Sequence, residues 1–384
     1  METAKIVIGA NFGDEGKGLM TDYFANEAKK LGKSCLVVCH NGGSQRGHTV
    51  VSPSGVRHVF HHFGSGSLEG ADTYLSSEFI VNPIIFRKEL SELGKIGGKT
   101  KCFVNKNCRL TTPFDMMLNQ IAEEYRGSGK HGSCGLGIFE TIVRSGTDKR
   151  YTVYGFNKLS ISAMRGVLNR IAETYVPDRL MQLGINSIPG KWREILAEKD
   201  SIIENFIQDF LEMSEYVQMA ENDIVDNYDS VIFEGAQGLL LDQNNLSYMP
   251  HLTPSNTGIK NPLEIIGGRK TALEVCYVSR TYMTRHGAGR FDTECKKSDI
   301  NEAMIDSTNV PNRYQDTIRY GMLVLEDLKN RMDSDLGSVN GTKSLAVTHL
   351  NEYGVNRNEL ETLFDEFRVY GSDGMTHHDV FELV

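Results

Sequence analysis

The 384-residue chain lacks any apolar run that approaches the roughly 18 residues needed to cross a bilayer. Its N-terminus, "METAK", also lacks the basic and apolar regions of a secretory signal. These absences argue against a membrane-spanning or secreted protein, and we expect no membrane partner. We therefore expect a cytoplasmic location.

Cysteine is scarce, and the seven cysteines form no CxxC pair. An odd, scattered set predicts free thiols in a reducing compartment. The segment "CLVVCH", with Cys35, Cys39 and His40, contains residue types that bind metals. Its run of apolar residues favours a buried strand instead.

The chain also lacks an excess of positive charge, because 41 lysines and arginines face 50 aspartates and glutamates, a net charge of −9. Neutralisation of phosphates dominates binding to nucleic acids. We therefore expect no nucleic-acid partner. Small anionic ligands can still bind where lysines, arginines and backbone N–H groups converge.

Strand-like and helix-like segments alternate along the chain, which is typical of a parallel sheet covered by helices. Buried strands are predicted at residues 4–10, 34–40, 229–238 and within 274–291, a helix at 17–30, and helix and loop at 355–384. The sequence therefore predicts an α/β fold with a large, mostly parallel twisted sheet flanked by helices. No repeat, low-complexity tract or linker interrupts it, so residues 1–384 are predicted to form a single catalytic domain with a mainly helical insertion at about 157–228.

The segment "GANFGDEGKG" (9–18) follows the first apolar strand. Glycines allow close backbone approach to a ligand, and the helix that follows offers N–H groups to phosphate beside Lys17. Asp14 would repel phosphate unless it binds a metal ion or takes a proton. The Walker pattern GxxxxGK[ST] does not fit, since Asn11 and Gly18 occupy two of its defining positions. Alone, the segment would be read as an acidic turn that caps a helix.

Four further segments repeat this glycine-rich, polar character. They are "GGSQRGHT" (42–49), "EGAQGLLLD" (234–242), "TPSNT" (253–257) and "TRHGAGRFDTE" (284–294). Together with "GDEGKGL" (13–19), they resemble the adenylosuccinate synthetase motifs GDEGKGK, GGxNAGHT, EGAQGxLLD, TSSNT and TRVGAGPFPTE. The order is the same and the motifs span most of the chain, so the set is specific although each motif alone is weak.

The resemblance implies a ligase that joins L-aspartate to C6 of a 6-oxopurine nucleotide and cleaves a nucleoside triphosphate. In this family O6 is phosphorylated first, and the amine of aspartate then displaces phosphate. By similarity, Asp14 removes the N1 proton and binds Mg²⁺, and the Gly47 carbonyl is a second magnesium ligand. His48 acts as the acid at O6, Lys17 neutralises phosphoryl charge, and Gln237 binds the purine edge. Taken singly, His48 and Gln237 would be read as ordinary loop residues.

The resemblance also implies the contacts of the two nucleotides. The triphosphate is expected to contact Gly16, Gly18, Thr49, His349 and Asn351. The 5′-phosphate of the substrate is expected to contact Ser133, Cys134 and Thr253, with Cys134 replacing a threonine hydroxyl in "GSCGLG" (132–137). Arg144 matches an arginine that reaches across a dimer interface, which implies a homodimer with shared sites. A solvated helix charge is the alternative for Arg144.

Two loops depart from the family pattern. Arg46 stands in "QRGH" (45–48) where the family has the small residue of NAGH, and it either contacts phosphate or points to solvent. The aspartate-binding motif TTGRRRR is replaced by "TNVPNRYQDTIRYG" (308–321). In this replacement loop, the residues expected to bind the substrate's carboxylates are Thr308, Asn309, Arg313 and Arg319.

The base-reading motif is also altered, from TKLD to "THLN" (348–351). An aspartate accepts the two hydrogen bonds that guanine offers, whereas the amide of Asn351 both donates and accepts, which suits adenine. We therefore predict ATP or dATP rather than GTP. These departures resemble a bacteriophage branch of the family that aminates dGMP, although many of its members replace the aspartate that is Asp14 here. We expect dGMP as substrate, with IMP as the alternative. If a bacteriophage encodes the chain, the expected location is the host cytoplasm.

Two functions of other classes compete with the ligase. A P-loop-like NTPase switch would hydrolyse nucleotide without aspartate, and the mismatches at Asn11 and Gly18 argue against it. A catalytically dead binding or assembly protein would have lost Asp14 or His48, and the chain retains both.

Overall fold

A parallel sheet runs through the part of the chain that the computed structural model describes, residues 1–98, 100–146, 148–304 and 317–383. The strands there are β1 (Thr3–Gly9), β2 (Cys35–Cys39), β3 (His48–Val51), β4 (Arg57–Phe60), β5 (Asp72–Leu75), β6 (Ile80–Val81), β7 (Cys102–Asn105), β8 (Arg109–Leu110), β9 (Gln218–Ala220), β10 (Ser230–Gly238), β11 (Ala272–Arg280), β12 (Tyr282–Arg285), β13 (Glu294–Cys295), β14 (Arg319–Met322), β15 (Thr342–Thr348), β16 (Arg368–Ser372) and β17 (Val380–Glu382). The helices are α1 (Lys17–Lys30), α2 (Pro83–Lys95), α3 (Pro113–Arg126), α4 (Ile138–Ser145), α5 (Val153–Asn157), α6 (Ile161–Arg170), α7 (Val176–Gln182), α8 (Gly190–Ala197), α9 (Lys199–Tyr216), α10 (Lys260–Ile266), α11 (Lys297–Asn301), α12 (Leu325–Leu336) and α13 (Arg357–Leu363).

The main sheet has ten strands in the order β17-β16-β15-β11-β1-β10-β2-β5-β7-β9. Every pair of neighbours is parallel except β16 and β17, which are antiparallel. Helices cover both faces, so the predicted α/β fold with a mostly parallel sheet is confirmed. Strand β1 lies between β10 and β11, and Ile6, Val7 and Ile8 are fully buried. Burial on both faces explains why this strand is a continuous apolar run.

The segment 157–228 contains α6, α7, α8 and α9, with a π-helical turn at Ile171–Tyr175. It also contains β9, which forms the outer strand next to β7. Phe206, Phe210 and Trp192 from these helices join the same apolar core as Leu75 of β5 and Val104 of β7. The segment is therefore helical but packs against the sheet as part of one core.

The last 30 residues differ from the helix and loop that the sequence predicts. Besides α13, they include β16, paired with β15, and β17, which folds back on β16. The strand residues Val369 and Tyr370 are buried, whereas Phe381 is partly exposed. An edge position with short strands gives little alternation in sequence, which is why the prediction missed these strands. No helix in the described ranges is long and apolar enough to cross a membrane.

Five neighbouring strands of the sheet direct their carboxyl ends to one edge, namely β15, β11, β1, β10 and β2. The segment 9–18 follows β1, and "NGGSQRGHT" follows β2. The segment "EGAQG" forms the end of β10, and "THLN" begins at the end of β15. In open α/β sheets, ligands bind outside the carboxyl ends of the strands. The fold therefore brings motifs from distant parts of the chain to one edge.

Candidate active site

A cavity of about 1050 Å³ lies at these strand ends. The predicted site residues that line it are Asp14, Gly16, Lys17, Gly18, Gly47, His48, Thr49, Ser133, Cys134, Gln237, Thr253, His349 and Asn351. Arg144 and Arg319 are not among its lining residues. Thr308, Asn309 and Arg313 lie outside the described residues. One cavity thus collects the residues predicted for the chemistry and for both nucleotides.

The two acids of the first loop face different partners. Glu15 is buried, and its Oε1 accepts hydrogen bonds from the N–H groups of Asn11 (3.1 Å) and Gly13 (2.7 Å). Its Oε2 lies 2.7 Å from Nζ of Lys17, and both side chains are 2% exposed. Glu15 therefore holds the loop closed and fixes Lys17 beside the cavity, which is a structural task that the sequence prediction did not assign.

Asp14 is the acid that faces the cavity, and its side chain is 32% exposed. Oδ2 of Asp14 lies 3.3 Å from Nε2 of His286, which also lines the cavity. His286 stands at the valine position of the family motif TRVGAG, and the sequence prediction did not single it out. The structure thus brings a histidine beside the carboxylate that was predicted to take a proton.

His48 is held by a buried carboxylate. Its Nδ1 lies 2.7 Å from Oε1 of Glu234, and the hydroxyl of Ser65 donates to the same oxygen. Because a carboxylate only accepts, this contact assigns the proton to Nδ1 and leaves Nε2 for a ligand. Burial lowers the pKa of His48, although Glu234 acts in the opposite direction. Burial also raises the pKa of Glu234, but Arg46 and His48 outweigh it and bring that pKa to about 2.

Arg46 does not point to solvent, so that expectation was wrong, whereas a contact with phosphate stays a prediction because Arg46 lines the cavity. Its side chain is 1% exposed, and Nη1 lies 3.1 Å from Oε2 of Glu234. Nε donates to the carbonyl of His61 at 2.8 Å, and Nη2 donates to the carbonyl of Phe63. The larger residue in the "QRGH" loop is therefore accommodated in the interior, next to the carboxylate that holds His48.

Asp14, Gln237 and His349 are the non-glycine residues with positive φ in the described part of the chain, at 62°, 65° and 62°. All three line the cavity. Residues with a β-carbon rarely adopt this left-handed conformation, and such outliers cluster at functional sites. The backbone conformation of these three residues therefore indicates a functional site at the same edge of the sheet as the motifs do, and it does so independently of the motifs.

Several buried polar atoms along the cavity find no hydrogen-bond partner among the described residues. They are Nε2 and Oε1 of Gln45, Oγ1 of Thr49, Oε1 of Gln237 and Nδ1 of His251. Leaving such a group unsatisfied costs about 1–3 kcal/mol. Their convergence on one cavity indicates a site built for a polar ligand.

The predicted 5′-phosphate loop lies along the same cavity. Oγ of Ser133 is 2.8 Å from Nδ2 of Asn119, which fixes the hydroxyl. The N–H of Gly132 donates a hydrogen bond to Oε2 of Glu123 at 2.9 Å. Burial raises the pKa of Cys134 to about 11, so this residue remains a neutral, weak donor. Ser133 is thus the stronger polar group of the loop.

The two remaining arginine predictions meet other partners. Nε and Nη2 of Arg144 bind the two carboxylate oxygens of Asp115 at 2.6 and 2.9 Å inside the same subunit. This buried position rules out the solvated helix charge, while a contact across a dimer stays a prediction. Arg319 binds both oxygens of Glu294, at 2.7 and 2.6 Å, and does not line the cavity, so its contact with the substrate's carboxylates stays a prediction. Both guanidinium groups bind carboxylates that lie 29 and 25 residues away in the sequence.

Comparison with known proteins agrees with the motifs and the fold. A family model described as adenylosuccinate synthetase matches residues 6–354. The adenylosuccinate synthetases of Streptomyces griseus and Neisseria gonorrhoeae are 31% and 32% identical over 303 and 298 residues. The alignments cover 77% and 75% of this chain but 66% and 64% of those relatives, so the chain matches just under two thirds of their length.

Two solved structures share the fold at 15% sequence identity. Fully ligated adenylosuccinate synthetase from Plasmodium falciparum superposes with a TM-score of 0.72 and covers 99% of both chains. Cyanophage S-2L succinoaminodeoxyadenylate synthetase bound to dGMP and dATP superposes with a TM-score of 0.62, over 100% of this chain and 95% of that one. With the family model matching most of its length, the chain belongs to the adenylosuccinate synthetase family, a family of carbon–nitrogen ligases.

Proposed function

We propose that this chain joins L-aspartate to C6 of a 6-oxopurine nucleotide and cleaves a nucleoside triphosphate to the diphosphate and phosphate. One observation carries the proposal. Asp14 follows β1, His48 begins β3 after the loop that follows β2, and Gln237 lies at the end of β10. All three line a single cavity with Lys17. An NTPase switch has no need for this combination of acid, imidazole and amide around one space.

The residues divide the chemistry as follows. Asp14, as a carboxylate, takes the N1 proton of the purine, which places negative charge on O6 and allows it to attack the γ-phosphate. His48 donates to O6 through Nε2, and Glu234 stabilises the imidazolium form that this step requires. Lys17 neutralises charge on the transferring phosphoryl group. The aspartate amine then displaces phosphate from C6.

The donor set of the first two loops suits Mg²⁺. Asp14 offers a partly exposed carboxylate to the cavity, and Gly47 lies along the same wall. Magnesium prefers such oxygen ligands. The residues that would hold it are therefore Asp14 and the carbonyl of Gly47, and the ion would supply charge neutralisation to the phosphates.

For the nucleotides we propose dGMP as substrate and ATP or dATP as phosphate donor. Asn351 supports an adenine base, because its amide matches the donor and acceptor of adenine. The cyanophage protein that shares the fold binds dGMP and dATP, which also supports this choice. IMP is the second candidate, favoured by the curated relatives, which are adenylosuccinate synthetases.

We also propose a homodimer. Phe139 and Val143 are 55% and 40% exposed on α4, and Phe139 borders the cavity. A second subunit that covers this apolar face would lie beside the active site. Sedimentation equilibrium of the purified protein should give twice the 42.9 kDa mass of the chain, and a monomer would contradict the proposal.

One assay tests the activity. Phosphate release is measured with Mg²⁺, ATP, L-aspartate and either dGMP or IMP, leaving out one component at a time. We expect release that requires both aspartate and the purine nucleotide, and that is faster with dGMP. Phosphate release that persists without aspartate and the purine nucleotide would support an NTPase switch. No release in any mixture would support a catalytically dead binding or assembly protein. Faster release with IMP than with dGMP would establish IMP as the substrate.

A further inference from the structure

Arg46 has no part in the chemistry described above, although it lies two residues before His48. It is buried at the wall of the cavity, and its Cζ lies 5.8 Å from the centroid of the Phe79 ring. Its partners include two backbone carbonyls from the segment after β4, those of His61 and Phe63. Since guanidinium is a rigid planar fork, these two carbonyls fix its orientation.

The third partner of Arg46 links it to His48. Nη1 holds Oε2 of Glu234 at 3.1 Å, while the other oxygen of Glu234 lies 2.7 Å from Nδ1 of His48. The backbone N–H of Ser65 also donates to Oε2, at 3.1 Å. One carboxylate is therefore held from one side by Arg46 and contacts the imidazole from the other.

We propose that Arg46 is a positioning residue, which fixes the Glu234 carboxylate and through it the His48 ring. The inference rests on the proposed role of His48 at O6. Without the guanidinium, Glu234 would be a buried carboxylate with no strong cation, which is costly enough to make it move. The imidazole would then lose the contact that sets its tautomer and angle, and a displacement of about 1 Å can cost about 10²-fold in rate.

A double-mutant cycle tests the coupling in the full-length protein. We expect Arg46→Met to lower kcat by about 10- to 100-fold with KM for all three substrates little changed. In a Glu234→Gln background the same substitution should lower kcat by no more than about 2-fold, because the residue through which it acts no longer carries charge. Arg46→Lys should recover part of kcat.

Arg269→Met is the matched control. Arg269 also binds a carboxylate with two nitrogens, at 2.6 and 2.9 Å from Asp226, but does not line the cavity. We expect it to leave kcat unchanged. Additive losses in the cycle, or unchanged kcat in folded Arg46→Met, would overturn the proposal. If circular dichroism shows that Arg46→Met does not fold, kcat of Glu234→Gln is compared with kcat of the double variant. A difference of more than about 2-fold would then overturn the proposal.

A measurement without turnover separates this inference from the proposed function. The proton on Nδ1 of His48, bonded to Glu234, should give a low-field NMR signal that is absent from His48→Ala. We expect the signal to shift or disappear in Arg46→Lys, whose ammonium cannot reproduce the guanidinium fork. An unchanged signal would overturn the inference even if the ligase is active, and a changed signal would support it even if wild-type protein shows no aspartate-dependent phosphate release.

Discussion

Nε2 of His286 lies 3.3 Å from Oδ2 of Asp14, and both side chains face the cavity. The imidazole follows β12, whereas the carboxylate lies in the loop after β1. The same carboxylate is the proposed magnesium ligand. We therefore expect a ring nitrogen at this distance to compete with the ion for one oxygen.

Replacing His286 should strengthen the response to magnesium. We expect His286→Val to lower the Mg²⁺ concentration for half-maximal activity by about 2- to 10-fold. This range corresponds to the net free energy of one hydrogen bond, about 0.5–1.5 kcal/mol. A magnesium titration of initial rates measures it. His378→Val, at an exposed histidine, is the control and should leave the titration unchanged. A raised or unchanged magnesium requirement for His286→Val would contradict the competition.

Removal of the His48 imidazole should affect turnover and spare binding. We expect His48→Ala to lower kcat by about two to four powers of ten, because acid and electrostatic contributions are each of that size. The Kd of the purine nucleotide, measured by calorimetry, should change little. Normal turnover in this variant would refute the assigned role.

Asn351 should determine the base of the triphosphate. We expect Asn351→Asp to shift the ratio of kcat/KM from ATP towards GTP by about 10-fold, since a good bidentate base contact discriminates by about 1–3 kcal/mol. Asn358→Asp makes the same chemical change at an exposed position on α13 and should not alter the ratio. If the ratio is the same in both variants, Asn351 does not read the base.

The Glu15–Lys17 pair should contribute strongly to stability. Lys17→Met leaves a buried carboxylate without its cation and should lower the free energy of unfolding by about 3–5 kcal/mol. Adding Glu15→Gln should recover part of this loss. Lys30→Met breaks an exposed pair with Glu27 and should cost no more than about 1 kcal/mol. Urea unfolding measures all three, and equal losses for the two lysines would contradict the prediction.

Asp22 on α1 should make stability depend on pH. Burial raises the pKa of Asp22 from 3.8 to about 6, against the lowering influence of His377, whose Nδ1 lies 2.7 Å from Oδ2. Nearby Glu69 also raises the pKa, and Lys29 lowers it. The folded protein thus binds the Asp22 proton more tightly than the unfolded chain does. The stability that this proton adds to the folded state is complete below pH 3.8 and is lost as the pH rises through 6.

Asp22→Asn removes that titration and keeps an acceptor oxygen for His377. We expect the variant to gain Tm relative to wild type at pH 8, and to gain less at pH 5. Asp333→Asn, at an exposed residue on α12, should shift Tm equally at both values. A gain for Asp22→Asn that is the same at pH 5 and pH 8 would contradict the raised pKa.

The sequence predicted much of the fold and part of the site because their signals are local. An apolar run such as "KIVI" followed by glycines predicts a buried strand and a loop at its carboxyl end, and this was confirmed for β1 and β10. The strands after residue 365 were missed because short edge strands carry weak alternation. The sequence prediction overlooked Glu234 within "EGAQG", because the role of this carboxylate is to bind His48, and the two side chains meet only in the folded chain.

The sequence by itself determined which loops carry the glycines, the acids and the imidazole, because those patterns lie within about ten residues of each strand end. Only the tertiary structure decided what the charged side chains contact. Arg46 turns inward to Glu234, Arg144 binds Asp115, and Asp14 meets His286. The buried guanidinium groups of Arg46 and Arg144 pair with the carboxylates that the fold brings nearest, and that pairing depends on contacts between segments that the sequence pattern cannot align.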